Sequence, residues 1–160
     1  MLADVYNELV QTELGLISTV DADGDVVFKH PELGTLYIKT FAEDPEFFML
    51  VFPSFLDCNA MGLSPEQLLH AINAVNSKSK SVKLVVQQSK VEDGSYAVTA
   101  TVECFLAAAD EEPDRELLRS ILRRNLAAIR NGASSLLAQC SALKKPSAEA
   151  ASTRAVASLH

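Results

Sequence analysis

The chain has 160 residues, 48% of them apolar and 22% charged, which suits one domain whose core needs no disulfide or metal and argues against disorder or a coiled coil. Its net charge of −7 and sequence pI near 4.9 argue against a general nucleic-acid binder, because such proteins neutralise phosphates with Lys and Arg. Cys58, Cys104 and Cys140 lie far apart, in neither a fully paired disulfide framework nor a structural zinc spacing, so a reducing cytoplasm is the expected setting. The opening "MLADVYNELVQ" carries acidic residues where a signal peptide is basic, and no apolar run approaches membrane-spanning length. Neither export by that route nor membrane insertion is expected.

Leu2, Val5 and Leu9 recur at helical spacing and predict a first helix from Leu2 to about Glu13, stopped by Gly15. "DADGD", Asp21 to Asp25, predicts an acidic turn into the strand "VVFKH". Counted as a calcium loop it places carboxylates at its first, third, fifth and twelfth positions. Val26 then falls where that loop needs Gly, and Pro31 follows where it needs a helix, so a hairpin turn is the reading adopted. "PELG" is a second turn, "TLYIKTF" a second strand and "AEDP" a third turn, which leads into "EFFMLVFPSF", Glu46 to Phe55.

This third strand has no polar side chain from Phe47 to Phe52, so both of its faces want cover, and Pro53 with the "DCNAMGL" segment, Asp57 to Leu63, is expected to end the meander. "SPEQLLHAINAVNSKSK" predicts a helix capped by Ser64, with Pro65 at its first position and Gln67 completing a capping box. "SVKLVVQQ" and "SYAVTATVECFL" predict a hairpin turning at Glu92 to Gly94. A long last helix follows "DEEP", and from Lys144 an Ala/Ser-rich composition predicts a mobile tail, 144–160. The result is an α+β domain over 1–143, with an antiparallel five-stranded sheet in the order α-βββ-α-ββ-α.

Chemistry-bearing residues are sparse. His30, His70 and His160 have no partner at nucleophile–base or metal-ligand spacing, Cys58 has no basic neighbour in sequence, and no glycine-rich phosphate loop is present. No catalytic residue, cofactor or metal is expected. Arg115, Arg119, Arg123 and Arg130 project onto one stripe of the last helix. That stripe reads either as a solvated edge neutralised by nearby carboxylates such as Glu111, Glu112 and Glu116, or as a docking rail for an acidic partner. Under the second reading a double reversal of Arg119 and Arg123 weakens binding and leaves the fold intact.

Over residues 1 to 143 the element order, with "LYIKTFAEDPEFFMLVFPSF", "LLHAINAVNSKSKSVKLVV" and the Asn73/Asn76 pair, resembles the YbjN-like members of the type III secretion chaperone-like group. The resemblance implies a one-sided helical layer on an antiparallel sheet, a homodimer using the second helix (Leu68, Leu69, Ile72) and the strand after it, and an extended client. Phe48 and Phe52, with Arg119 and Arg123, are the expected partner-binding residues. The reading is a non-enzymatic, cytoplasmic and bacterial protein-binding module, a chaperone-like holder of a client or effector. The alternative is a YbjN-type regulatory or scaffold domain with a folded partner.

Overall fold

The structure, a computed structural model, describes residues 2–88 and 96–144. The first helix, α1 (Leu2–Leu14), forms because Ala3, Tyr6, Leu9 and Val10 share a face and all become buried. It stops at Gly15, whose φ of +64° is left-handed backbone that glycine adopts without a Cβ clash. Three antiparallel strands are where the sequence places them: β2 (Val26–His30), β3 (Gly34–Lys39) and β4 (Phe47–Asp57). A strand the sequence reading lacks precedes them. It is β1 (Ser18–Val20), antiparallel to β2.

The second helix, α2 (Pro65–Asn76), begins with the expected capping box, Ser64 and Gln67 each accepting a backbone N–H of the other. The strands β5 (Val82–Gln88) and β6 (Tyr96–Phe105) and the helix α3 (Arg115–Lys144) complete the chain. The turn expected at Glu92 to Gly94 and the tail beyond Lys144 lie outside the described residues, and Lys144 itself still belongs to α3.

All six strands form one antiparallel sheet in the order β1-β2-β3-β4-β6-β5. The five-stranded expectation is therefore corrected to six. Three residues are too few to show an alternation, and β1 is fixed by tertiary contacts instead: the Ser18 hydroxyl donates to Asn7 Oδ1 of α1 at 2.6 Å. β4 runs past Pro53 and ends at Asp57, the first residue of "DCNAMGL". The register against β6 shifts between Phe52 and Leu56, and inside this bulge Ser54 takes a φ of +44° while its N–H donates to Thr99 Oγ1 at 3.1 Å. A proline without an N–H is tolerated where the ladder is already interrupted.

One hydrophobic core holds the helices to the sheet. It takes Phe48, Leu50 and Phe52 from β4, Val98, Ala100 and Val102 from β6, and Leu36 and Ile38 from β3. Tyr6 and Leu9 of α1, Leu68 and Ile72 of α2 and Leu122 and Leu136 of α3 belong to the same cluster. Helix α3 lies close enough to β5 that a Cβ on Gly132 would stand 2.7 Å from Val82 Cγ1. Glycine is needed here for proximity, because its φ is not in the left-handed region.

The exposed edge of β5 is closed by a side chain. Asn76, the last residue of α2, donates through Nδ2 to the Leu84 carbonyl at 3.0 Å and accepts the Leu84 N–H at Oδ1 at 2.9 Å. These are the strand groups that point away from β6, so the amide occupies the position of a seventh strand. Removing it in Asn76→Ala leaves both groups of Leu84 without that partner, with an expected loss of about 1–3 kcal/mol. Urea unfolding measures the loss, and light scattering should record concentration-dependent association through the freed edge.

Two further substitutions test the core. The Tyr6 hydroxyl is buried without a hydrogen-bond partner among the described residues, and burial pushes its pKa up, with a smaller contribution from Cys104. Tyr6→Phe should therefore keep or raise stability, by up to about 1 kcal/mol. Gly132→Ala should cost about 1–3 kcal/mol through overpacking and be rescued by Val82→Ala. Both are read from denaturation midpoints.

Candidate functional site

The sheet has a helix-covered face and an open one, and strand parity decides which residues each receives. In β4 the even-numbered Phe48, Leu50 and Phe52 enter the core, while Phe47, Met49 and Val51 take the other side. In β6 the open face receives Thr99, Thr101, Glu103 and Phe105, and in β3 it receives Tyr37 and Lys39, as the pairings of Tyr37 with Val51 and of Met49 with Glu103 require. Phe48 is 0% exposed and Phe52 8%, so the two phenylalanines expected to meet a partner instead meet the chain's own helices. The sequence could not choose between the parities because both sets are apolar.

The open face is divided. Towards β5 it is polar and internally satisfied: Lys83 pairs with Glu103 at 2.7 Å, Thr101 donates to Glu103 at 3.0 Å, and Thr99 bonds Gln87 at 3.1 Å. The Lys83 ammonium, bonded to the Glu103 carboxylate, holds that carboxyl below its ordinary pKa. Towards the lower end of β4 it is aromatic. Phe47 lies between Phe41 and Phe105, with both ring-centroid distances at 5.4 Å and tilted planes. Phe105 is 69% exposed and Phe41 37%, which makes this ridge a substantial exposed aromatic feature on a sheet face.

The residues expected at a dimer contact are also redistributed. Leu68 and Ile72 are buried within the chain's own core, and Leu69 alone of the three is exposed. The second helix therefore spends most of its apolar stripe internally. Leu69 borders an apolar cavity of about 200 Å³ lined by Leu63, Pro65, Val86 and Tyr96.

The arginine stripe is neutralised by carboxylates, as the first of the two readings expects, but by different ones. Arg115 pairs with Glu8 at 2.6 Å, Arg119 and Arg123 with Glu13 at 2.9 and 3.1 Å, and Arg130 with Glu32 at 3.2 Å. The acids come from α1 and the β2–β3 turn, not from Glu111, Glu112 and Glu116. The stripe clasps α1 to α3 across a long sequence separation, so it is a structural seam and not a free rail. The Arg115 guanidinium, bonded to Glu8, holds that carboxyl below its ordinary value.

The "DADGD" turn is organised by its own bonds. Asp21 Oδ1 accepts the N–H groups of Asp23 and Asp25, both at 3.0 Å, and the buried Asp25 carboxylate is taken by Lys39 and by the Thr40 N–H. Among the described residues no three His, Cys, Asp or Glu side chains converge as a metal-ligand set. His30 Nδ1 accepts the Glu32 N–H. Burial and the neighbouring Asp57 carboxylate push the Cys58 thiol up, away from the reactive thiolate.

The architecture is a YbjN-like α+β fold. Two crystal structures share it: YbjN of E. coli, provisionally named a transcription regulator, with a TM-score of 0.59 and 12% identity over 81% of this chain and 86% of that one, and an uncharacterized protein from Methanothermobacter thermautotrophicus, with a TM-score of 0.55 and 15% identity over 87% and 99%. No protein-family model matches the chain, and no curated protein is similar to it in sequence. No helix among the described residues is long and apolar enough to cross a membrane.

The seam makes a testable statement. Arg119→Glu with Arg123→Glu sets two like charges beside Glu13, so it should destabilise the fold by about 1–2 kcal/mol and raise amide exchange across α1, in contrast to a stripe exposed for a partner. The lowered Glu8 pKa adds a pH sign. Its contribution is present above the ordinary glutamate pKa and is lost as pH falls through the lowered folded-state value, so α1 exchange should rise on acidification in that window.

Proposed function

We propose that this protein is a non-enzymatic protein-binding module that presents the open face of its sheet to a polypeptide. The observation that carries the reading is the row Phe41, Phe47 and Phe105 on a face that no helix among the described residues covers. Burying such a row is worth about 25 cal/mol per Å² of apolar surface, and aromatic residues of this kind anchor interfaces. The core residues Phe48 and Phe52 act indirectly, by anchoring β4 to the helices on its other side.

A chaperone-like holder of an extended client is the form favoured by the flat, one-sided surface. The likeness to YbjN supports the regulatory form of the same reading, in which the partner is a folded protein. In either form the acidic chain acts through protein contact, since its charge opposes a phosphate backbone. Without a partner a second copy can cover the ridge, because twofold pairing uses the same patch twice and closes.

Light scattering coupled to gel filtration over a dilution series tests this. The wild type should exceed its chain mass of 17.3 kDa at high concentration, and Phe41→Ser with Phe105→Ser should return it to that mass with an unchanged melting temperature. Association that survives the double substitution would place the contact elsewhere. A monomer throughout removes the homodimer and leaves a client as the occupant.

A further inference from the structure

The chain's negative charge is not spread evenly. Strand directions bring the β1–β2 turn, the β3–β4 turn and the β6–α3 loop to one end of the sheet. Residues 21–25, 40–46 and 106–114 together hold ten of the 21 carboxylates and no Lys or Arg. Bonds between the loops confirm the juxtaposition: Thr40 Oγ1 donates to the Gly24 carbonyl at 2.8 Å, the Leu106 N–H to the Glu46 carbonyl at 2.8 Å, and the Asp110 N–H to Glu46 Oε2 at 3.3 Å. Of the nearby cations, Lys39 is engaged by Asp25 and Arg115 by Glu8. The seam between α1 and α3 thus consumes arginines that could otherwise have balanced this end. Partial burial, then Glu46 and Asp110, raise the Asp44 carboxyl.

This acidic end coincides with the aromatic ridge, since Phe47 is the first residue of β4, Phe105 the last of β6, and Phe41 lies two residues beyond the end of β3. Beside the ridge is a cavity of about 360 Å³. Leu2, Val20, Phe41 and Pro45 are among its apolar lining residues, and Asp23 and Glu112 are its carboxylates. Phe41 belongs to both the cavity and the ridge. An apolar socket with two carboxylates fits a long cationic side chain, whose aliphatic stem prefers apolar walls and whose head pairs with carboxylate.

We propose that the occupant of this surface is a basic amphipathic segment of a partner protein, which seats a Lys or Arg side chain in the socket between Asp23 and Glu112 and lays its apolar side chains on Phe47 and Phe105. The assignment rests on the protein-binding reading above and adds the partner's chemistry. It reverses the sign of partner that the arginine stripe suggests in the sequence. Electrostatic complementarity of this type raises the association rate and selects against acidic competitors.

Fluorescence anisotropy with the full chain, at protein concentrations that hold the monomer, provides the test. Three labelled probes are used: short peptides alternating leucine with arginine, with serine or with glutamate. The arginine peptide should bind at least about tenfold tighter than the serine peptide and weaken with added salt, and the glutamate peptide should bind weakest. Asp23→Asn with Glu112→Gln should weaken the arginine peptide about fivefold to tenfold. Asp57→Asn with Glu66→Gln removes the same charge at the opposite end of the sheet and should have little effect. Both pairs lie on the surface, and Asp23 and Glu112 accept no hydrogen bond from the described residues. Equal loss in both double variants, or a serine or glutamate peptide that binds as well while Phe105→Ser still abolishes binding, overturns the basic partner and spares the protein-binding surface. Binding that ignores Phe105→Ser overturns both.

Discussion

Phe47 to Phe52 is a continuous apolar run in a central strand, and a pleated strand sends such a run to both sides of its sheet. All three helices pack against one side, where Phe48, Leu50 and Phe52 join Tyr6, Leu9 and the apolar stripe of α3. The connections make this arrangement hard to avoid: α1 leads into the β1 edge, and α2 and α3 return to β5 and β6 on the same layer. The second set of side chains is therefore apolar without an internal partner. The tilted stack of Phe41, Phe47 and Phe105 is the local solution, each ring shielding part of the next.

Charge follows from the same layering. α3 is long enough to pass α1, and the arginines on its flank meet Glu8 and Glu13 there. Pairs of this kind are worth little singly when exposed. Glu13 is the exception in degree, because its side chain is only 14% exposed and it receives two guanidinium groups. With those cations engaged along the seam, the carboxylates of the loops remain concentrated where the strands end. A chain of moderate net charge thereby acquires one strongly acidic end beside its exposed rings.

The edges of the sheet are kept out of association by different means. β1 is three residues long, which leaves little template for a further strand. β5 is longer, and there the side chain of Asn76 satisfies the outward groups of Leu84. Gly132 lets α3 lie against the same strand near Val82. Both edges thus offer little free backbone for pairing with a further strand.

The sequence by itself determined what local physics controls. The capping box of Ser64 and Gln67, the stop at Gly15, the long amphipathic α3 and the alternation or unbroken apolarity of the strands each rest on a few neighbouring residues, so they were legible. It also established that the run 47–52 needs cover on both faces. What it could not show depends on contacts between distant residues. β1 is held by Asn7 and Gln11 of α1, and its three residues carry no period of their own. The continuation of β4 past Pro53 depends on the Thr99 hydroxyl, 45 residues away, accepting the Ser54 N–H. The parity that buries Phe48 and exposes Phe47 was open because the two faces have the same hydrophobicity. Only the packing of helices on one side breaks that symmetry. The acids that meet the arginine stripe, and the carboxylates that gather at one end of the sheet, likewise come from segments far apart in the chain, and charge pairing at such separations is set by the fold and not by spacing along the sequence.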